Sequence, residues 1–515
     1  MFDLLKTCRH LVVSVTPLII IVAIGVTLRL INLGGRPLWY DEAFSILYAR
    51  LPYATMLEGT LAQSQGAAAD VHPPFFYLSL QHWMNVFGNS VAAARLLSLA
   101  YGVGTILLAY GLMRELFDRR VGLIAAAFVA LSPFQIAYSQ EARMYAQLGF
   151  WTIASLWAFV RGARTNRWKA WVAFGVCGAA ALYSHNLAFA FYAAIGLFVV
   201  ARVLDGLARR TLRASLLTGT IIGALIMGAL FSPWLVQLPA QFGKIAQSYW
   251  ITPPTMVTFV QTLMVFGLWT DNQAAAPRLA VAILGGSLLI LALILHELVH
   301  RRRELDTRVG LIVTMFVVPI LVLAAVSYAV KPVYIIRGLL PSQISFLLLA
   351  AWAASRLPRA VKIGAGVLLG AIWIAVLAAH YAYAGFPRAP WGDVATYLRA
   401  NTMAGDAIVH DNKLTFFPMR IADATLDQVY LPDVAGIGSD TLALATQRAL
   451  GLPATSVENA IADRDRVWLI LFARTRDDYR AAGFEDDPNW TAIDAQFDAV
   501  AKQSFADVDV YLFGR

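Results

Sequence analysis

The chain has 515 residues, 59% of them hydrophobic and only 14% charged, with a mean hydropathy of +0.62. A soluble chain of this length carries nearer a quarter charged residues, so the composition excludes an ordinary soluble enzyme and specifies a polytopic membrane protein. The net charge of +9 is unevenly placed: residues 1–384 carry 29 Lys+Arg against 13 Asp+Glu, residues 385–515 only 12 against 19. The basic excess belongs to the membrane part, where it acts as an orientation signal and does not point to nucleic acid.

Leu11–Leu33, an apolar run of 23 residues, comes first. At ~1.5 Å per residue it spans roughly 35 Å, enough to cross a hydrocarbon core of about 30 Å. It is too long for a signal-peptide core and no small-residue cleavage site follows it, so it reads as a retained anchor. Further apolar runs at 92–113, 121–137, 146–160, 170–184, 187–201, 214–236, 277–295, 309–330, 339–355 and 363–384 bring the expected number of spans to eleven. With the N-terminus in the cytoplasm, the inside segments carry 20 Lys+Arg and the outside loops 6. That bias, with the odd span count, predicts a multi-pass protein of a bacterial inner membrane whose C-terminal domain is extracytoplasmic. Cys8 and Cys177 are the two cysteines and offer no disulfide framework.

Residues 385–515 change character. WGDVATYLRANTMAGDAIVHD predicts a helix and then a short strand. DRVWLILFA is a strand-length apolar run followed by a helical DDYRAAGF, and VDVYLFG alternates as a last strand. The domain reading is a transmembrane part, 1–384, with a long first outer loop at 34–91, and a small soluble α/β domain at 385–515.

On this topology the unusual polar residues lie on the outer face. Asp41 and Glu42 (LWYDEAFS), with Asp70 and His72 (DVHPPFFY), occupy the first outer loop. Glu141, Arg143 and Tyr145 (SQEARMY) follow the third span, His185 (YSHN) the fifth, and Lys331 and Arg337 (KPVYIIRG) the ninth. A lipid-linked substrate keeps its chain in the bilayer and its phosphate at the interface. Transfer of a sugar from it to a hydroxyl needs a base and needs cations to hold the departing phosphate. Asp41 fits the base, and Arg143, Lys331 and Arg337 fit the phosphate partners. Each residue also has a plainer reading. Asp41 and Glu42 fit the cap and first turn of an interfacial helix, and His72 ahead of Pro73-Pro74 fits a rigid turn. Glu141 and Arg143, two apart, would face different ways on a helix. His185 fits a polar cap, and Tyr145, Trp39, Tyr40, Trp250 and Trp269 an interfacial aromatic belt. Arg29 and Arg95 sit near the outer ends of their spans; Arg29 fits snorkelling or a contact with the donor phosphate, and snorkelling is favoured.

DEAF after the first span, DVHPP in the first outer loop, QEARMY after the third span and a late RGLLP together resemble the GT-C membrane glycosyltransferases, in particular the protein O-mannosyltransferase and aminoarabinose-transferase-like families. The resemblance covers residues 1–384 in layout. It implies an inverting transferase that uses a polyprenyl-phosphate sugar, acts on a lipid, glycan or protein acceptor, and contacts membrane lipids and no nucleic acid. It implies Asp41 as catalytic base, Glu42 in a supporting or acceptor-contacting role, and a DVHPP segment that orders the first loop near the donor. The substrate-binding candidates are Asp70, His72, Glu141, Arg143, Tyr145, His185, Lys331 and Arg337. A divalent cation (Mg or Mn) held among Asp41, Glu42, Asp70, His72 and Glu141 stays open. The rival classes are a transporter or flippase of lipid-linked sugars, which would place ionisable groups at mid-span, and a non-catalytic assembly protein.

Overall fold

The structure is a computed structural model that describes residues 2–61, 71–211, 214–247, 251–270, 275–302, 306–383, 385–433 and 441–515. It divides into two compact units. Met1–Leu33, Val86–Val236 and Ile251–Tyr381 form the first; Gly34–Asn85, Gln237–Trp250 and Ala382–Arg515 form the second.

The first unit is helical. Every apolar run of the sequence reappears as a helix, and among the described residues seven helices are long and apolar enough to cross a membrane, or eight if one bent pair is a single span. The bent pair is Arg119–Leu131 and Pro133–Ser139, which meet at 60°. The apolar helix Met256–Gly267 has no counterpart among the expected spans; its 12 residues are too short to cross. Helix Leu340–Arg356 is buried without interruption from Leu340 to Ala353, whereas Arg359–Ala382 buries only Val376, Leu377 and His380. The first is central to the bundle and the second peripheral. Small residues let the helices close up: a Cβ on Gly175 would stand 2.6 Å from the Gly223 carbonyl oxygen, the contact that stands in for a hydrophobic drive inside lipid. Polar side chains add directionality. Gln343 accepts from Gln135 Nε2 at 2.8 Å and donates to Ser132 Oγ at 3.0 Å and the Phe266 carbonyl at 3.2 Å.

Arg29 departs from expectation. It does not snorkel; it is fully buried. Its guanidinium donates to Ser139 Oγ (3.0 Å) and to the carbonyls of Gly25 (3.0 Å), Ala130 (2.9 Å) and Val129 (3.1 Å). The reason lies in the bend. Pro133 has no N–H to offer the Val129 carbonyl one turn back, so the helix Arg119–Leu131 ends with unsatisfied acceptors inside the bundle. A cation at a helix C-terminus satisfies both the acceptors and the dipole. Gly102 makes room, since a Cβ there would fall 2.0 Å from Ser139 Oγ. Arg95 is likewise fully buried and donates to the Leu33 carbonyl at 2.7 Å.

In the second unit the expected helix and strands are present: helix Trp391–Asn401, then β1 (Ala407–His410), β2 (Gln428–Tyr430), β3 (Arg466–Phe472), helix Thr475–Ala481, β4 (Asp498–Phe505) and β5 (Val508–Gly514). The short β2 and the exposed β4 were not legible in the sequence. The sheet order is β2-β1-β3-β5-β4, with β1 parallel to β2 and β3, and β5 antiparallel to β3 and β4. Val409, Val467, Leu469, Leu471, Trp490, Ile493 and Phe513 form its core. Helices Tyr40–Ala49 and Tyr53–Leu61 belong to this unit. They are tied together by Tyr48 Oη, which donates to the Met56 carbonyl at 2.6 Å.

Candidate functional site

In the second unit, Asp41 and Glu42 stand in the first turn of helix Tyr40–Ala49, where the helix dipole favours negative charge. Trp39 precedes the helix in extended backbone and supplies no side-chain cap. The two acids have different surroundings. Asp41 is half-buried, while Glu42 is fully buried. Glu42 Oε2 accepts from Arg388 Nη1 at 2.6 Å, and the same nitrogen donates to the Pro37 carbonyl at 2.8 Å. Arg388 is itself fully buried, with the Trp39 ring 5.7 Å from its guanidinium. Trp391 Nε1 donates to the Leu38 carbonyl at 2.9 Å. Beside them Lys413 Nζ lies 5.9 Å from the Tyr40 ring centre and 3.4 Å from Asp433, and Phe417 meets Tyr40 edge-on at 5.5 Å. Trp39 is thus a buried partner of Arg388 and does not stand in an interfacial belt. His72 is half-buried at a bend, and the buried Pro73 and Pro74 lead into helix Phe75–Phe87. Asp70 and Trp250 lie outside the described residues.

The first unit holds the other candidates. Glu141 and Arg143 are both buried, not on a helix but in the irregular turn between Pro133–Ser139 and Tyr145–Thr165, where the Arg143 amide donates to the Glu141 carbonyl at 2.7 Å. Tyr145, expected at the membrane boundary, is 1% exposed. Its ring centre lies 5.7 Å from His185 and 5.5 Å from the Arg337 guanidinium, so these three are brought together. His185 caps the turn Asn186–Ala188: its Nδ1 accepts from the Leu187 amide at 3.1 Å, which leaves Nε2 to carry the ring proton. Arg337 sits in the turn Ile336–Leu339, and Lys331 is half-buried beyond helix Thr307–Ala329. Trp269 is buried too.

Arg388, Trp391 and Lys413 were missed in the sequence. One signal was available: Arg388, in FPRAPW beyond the last span, runs against the inside bias as Arg337 does.

The donor set was also weighed for a metal. Among the described residues no group of three or more His, Cys, Asp or Glu side chains gathers as a cation site. Glu42 is already committed to Arg388. Helix Pro277–His300 ends in His-Glu-Leu-Val-His, a spacing that holds zinc in metalloproteases. Here Glu297 is buried and accepts from Arg301 Nε at 3.0 Å. Asp70, one of the five candidate ligands, lies outside the described residues.

At the carboxyl end of β1, Asp411 is buried beside Asp487. Asp411 Oδ1 accepts from Asn489 Nδ2 and Oδ2 from Asn412 Nδ2, each at 3.0 Å. Burial and the Asp487 carboxylate hold the Asp411 carboxyl well above the usual range, with Asp433 adding to the shift; burial also raises Asp487. A carboxyl so raised keeps a proton that unfolded carboxylates release at their ordinary pKa. The stability it contributes is complete below that range and declines as pH rises through the raised folded value. Asp487→Asn removes one of the two charges and keeps the Oδ1 that accepts from the Asn489 amide. It is expected to raise the melting temperature at pH 8 by about 3 °C, the order for 1 kcal/mol in a unit of this size, and to flatten its pH dependence. A pH slope equal to that of the parent protein would contradict the raised carboxyl.

Comparison with known proteins follows this geometry. Residues 71–236 match the family model described as dolichyl-phosphate-mannose-protein mannosyltransferase. Among curated proteins none matches by sequence. Among solved structures, ArnT from Cupriavidus metallidurans bound to undecaprenyl phosphate superposes with a TM-score of 0.59 at 13% identity, over 97% of this chain and 98% of that one. The Archaeoglobus fulgidus oligosaccharyltransferase in the apo form gives 0.57 at 14% identity, over 92% and 72%. The same archaeal enzyme in complex with Zn and sulfate gives 0.55 at 15%, over 95% and 73%. The chain thus shares its fold with ArnT and with the archaeal oligosaccharyltransferase.

Proposed function

We propose that the protein is an inverting glycosyltransferase that takes a sugar from a polyprenyl phosphate and passes it to a hydroxyl of a lipid, glycan or protein on the outer face of a bacterial inner membrane. The observation that carries this reading is a fold shared over 97% of the chain with a protein solved bound to undecaprenyl phosphate. Asp41, half-buried at a helix start, removes the proton of the acceptor hydroxyl as its oxygen attacks the anomeric carbon. The bond from that carbon to the phosphate oxygen breaks on the opposite face, inverting the centre, and the polyprenyl phosphate leaves with the electron pair. Arg143 and Arg337, with Lys331, balance the phosphate charge. Tyr145, His185, Glu141, Asp70 and His72 are the remaining substrate-binding candidates.

Flippase activity is not favoured, because the buried arginines of the spans, Arg29 and Arg95, hydrogen-bond to backbone carbonyls and serve the bundle itself. The deciding experiment supplies labelled polyprenyl-phosphate sugar to the protein in liposomes with a membrane extract as acceptor. Label is expected to become covalently attached to an acceptor. Label that only changes leaflet would make the protein a transporter.

A further inference from the structure

We propose that Arg388 is a positioning residue for Asp41, so that the segment following the last span is part of the catalytic apparatus. This rests on the reading of Asp41 as the base. The helix that carries Asp41 lacks a capping side chain of its own, since Trp39 makes no cap bond. Local sequence therefore does not settle the direction in which the helix starts. What settles it comes from about 350 residues further on. One Arg388 nitrogen joins the chain before the helix, at the Pro37 carbonyl, to the first helical turn, at Glu42. Trp391 fixes the intervening Leu38 carbonyl, and the Trp39 ring packs under the guanidinium.

Asp41 lies between two anchored neighbours. Tyr40 is held by Phe417 and by Lys413 Nζ, and Glu42 is held by Arg388. Successive helical residues point about 100° apart. Fixing residues 40 and 42 therefore fixes the direction of the carboxylate between them. Arg388 and Glu42 are both fully buried, so neither water nor salt screens their bond or offers an alternative partner. A planar guanidinium that bonds two acceptors at once is suited to set an angle; a lone charge is not. Glu42 on this view orients the base and does not touch the acceptor.

The test is a split between kcat, KM and folding. Removing one member of a buried ion pair leaves an uncompensated charge and can prevent folding. The informative variant is therefore the double Glu42→Gln with Arg388→Met, which neutralises both at nearly unchanged volume. It is expected to keep the melting temperature within a few degrees of the parent and the donor KM within about three-fold, while kcat falls roughly 10- to 100-fold, as small misplacements of a reacting group do. A double variant with the parent kcat would overturn the proposal. So would a loss confined to KM or to melting temperature. Asp41→Asn is assayed in parallel. Activity there defeats the reading of Asp41 itself, whereas an inactive Asp41→Asn beside a fully active double variant defeats only the role of Arg388.

Discussion

Replacing Asp41 by Asn is expected to lower kcat for sugar transfer by about 10²- to 10⁴-fold, the range a positioned general base contributes. The substitution keeps the size of the side chain and its place in the first turn of helix Tyr40–Ala49. It removes only the capacity to accept a proton. The donor KM is expected to hold within about three-fold, because Arg143 and Arg337, proposed as the phosphate partners, are untouched and uniform binding is unaffected. Rates of transfer from a labelled polyprenyl-phosphate sugar, over a range of donor concentrations, measure both quantities. If kcat survives, the hydroxyl proton is taken elsewhere and the role given to Asp41 is wrong.

The second large effect concerns folding. Arg29→Leu is expected to destabilise the helical unit by on the order of 3 kcal/mol, because the carbonyls of Val129 and Ala130 lose their donor in a place that water does not reach. In detergent this corresponds to a drop in melting temperature of about 10 °C. Arg29→Lys should recover part of the loss, since an ammonium can donate to the carbonyls but cannot span the fork that reaches Ser139, Gly25, Ala130 and Val129 together. A melting temperature equal to the parent's would show that the bend at Pro133 finds other donors. Because Arg29 sits among the helices of the first unit, lowered activity in this variant should follow the lost folded fraction, and the specific activity of the folded protein should change little.

These two residues mark opposite limits of what the sequence reveals. Asp41 stands out as an acid just beyond an apolar run, a local feature whose reading names no partner elsewhere in the chain. Arg29 was misjudged for the complementary reason. A basic residue near the end of a span snorkels by default, and the exception arises only from Pro133, over 100 residues on, whose missing N–H exposes acceptors that the arginine then fills. Tyr145 shows the same limit. An aromatic at a helix start in a membrane protein fits an interfacial belt, and only the arrival of His185 and Arg337 from two distant turns makes it interior.

The sequence by itself determined the apolar helices, the α/β character of residues 407–514 and the place of Asp41 and Glu42 beyond the first apolar run. Each is written in a local quantity: apolar run length, alternation, or the end of a run. The tertiary structure alone decided that Glu42 belongs to Arg388, that Arg29 ends another helix, that Asp411 is buried beside Asp487, and that Gly34–Asn85 folds with the C-terminal segment. The physical reason is the same in each case. A buried polar group must find a partner, but the chain may supply it from any distance, and no periodicity in the sequence encodes which one.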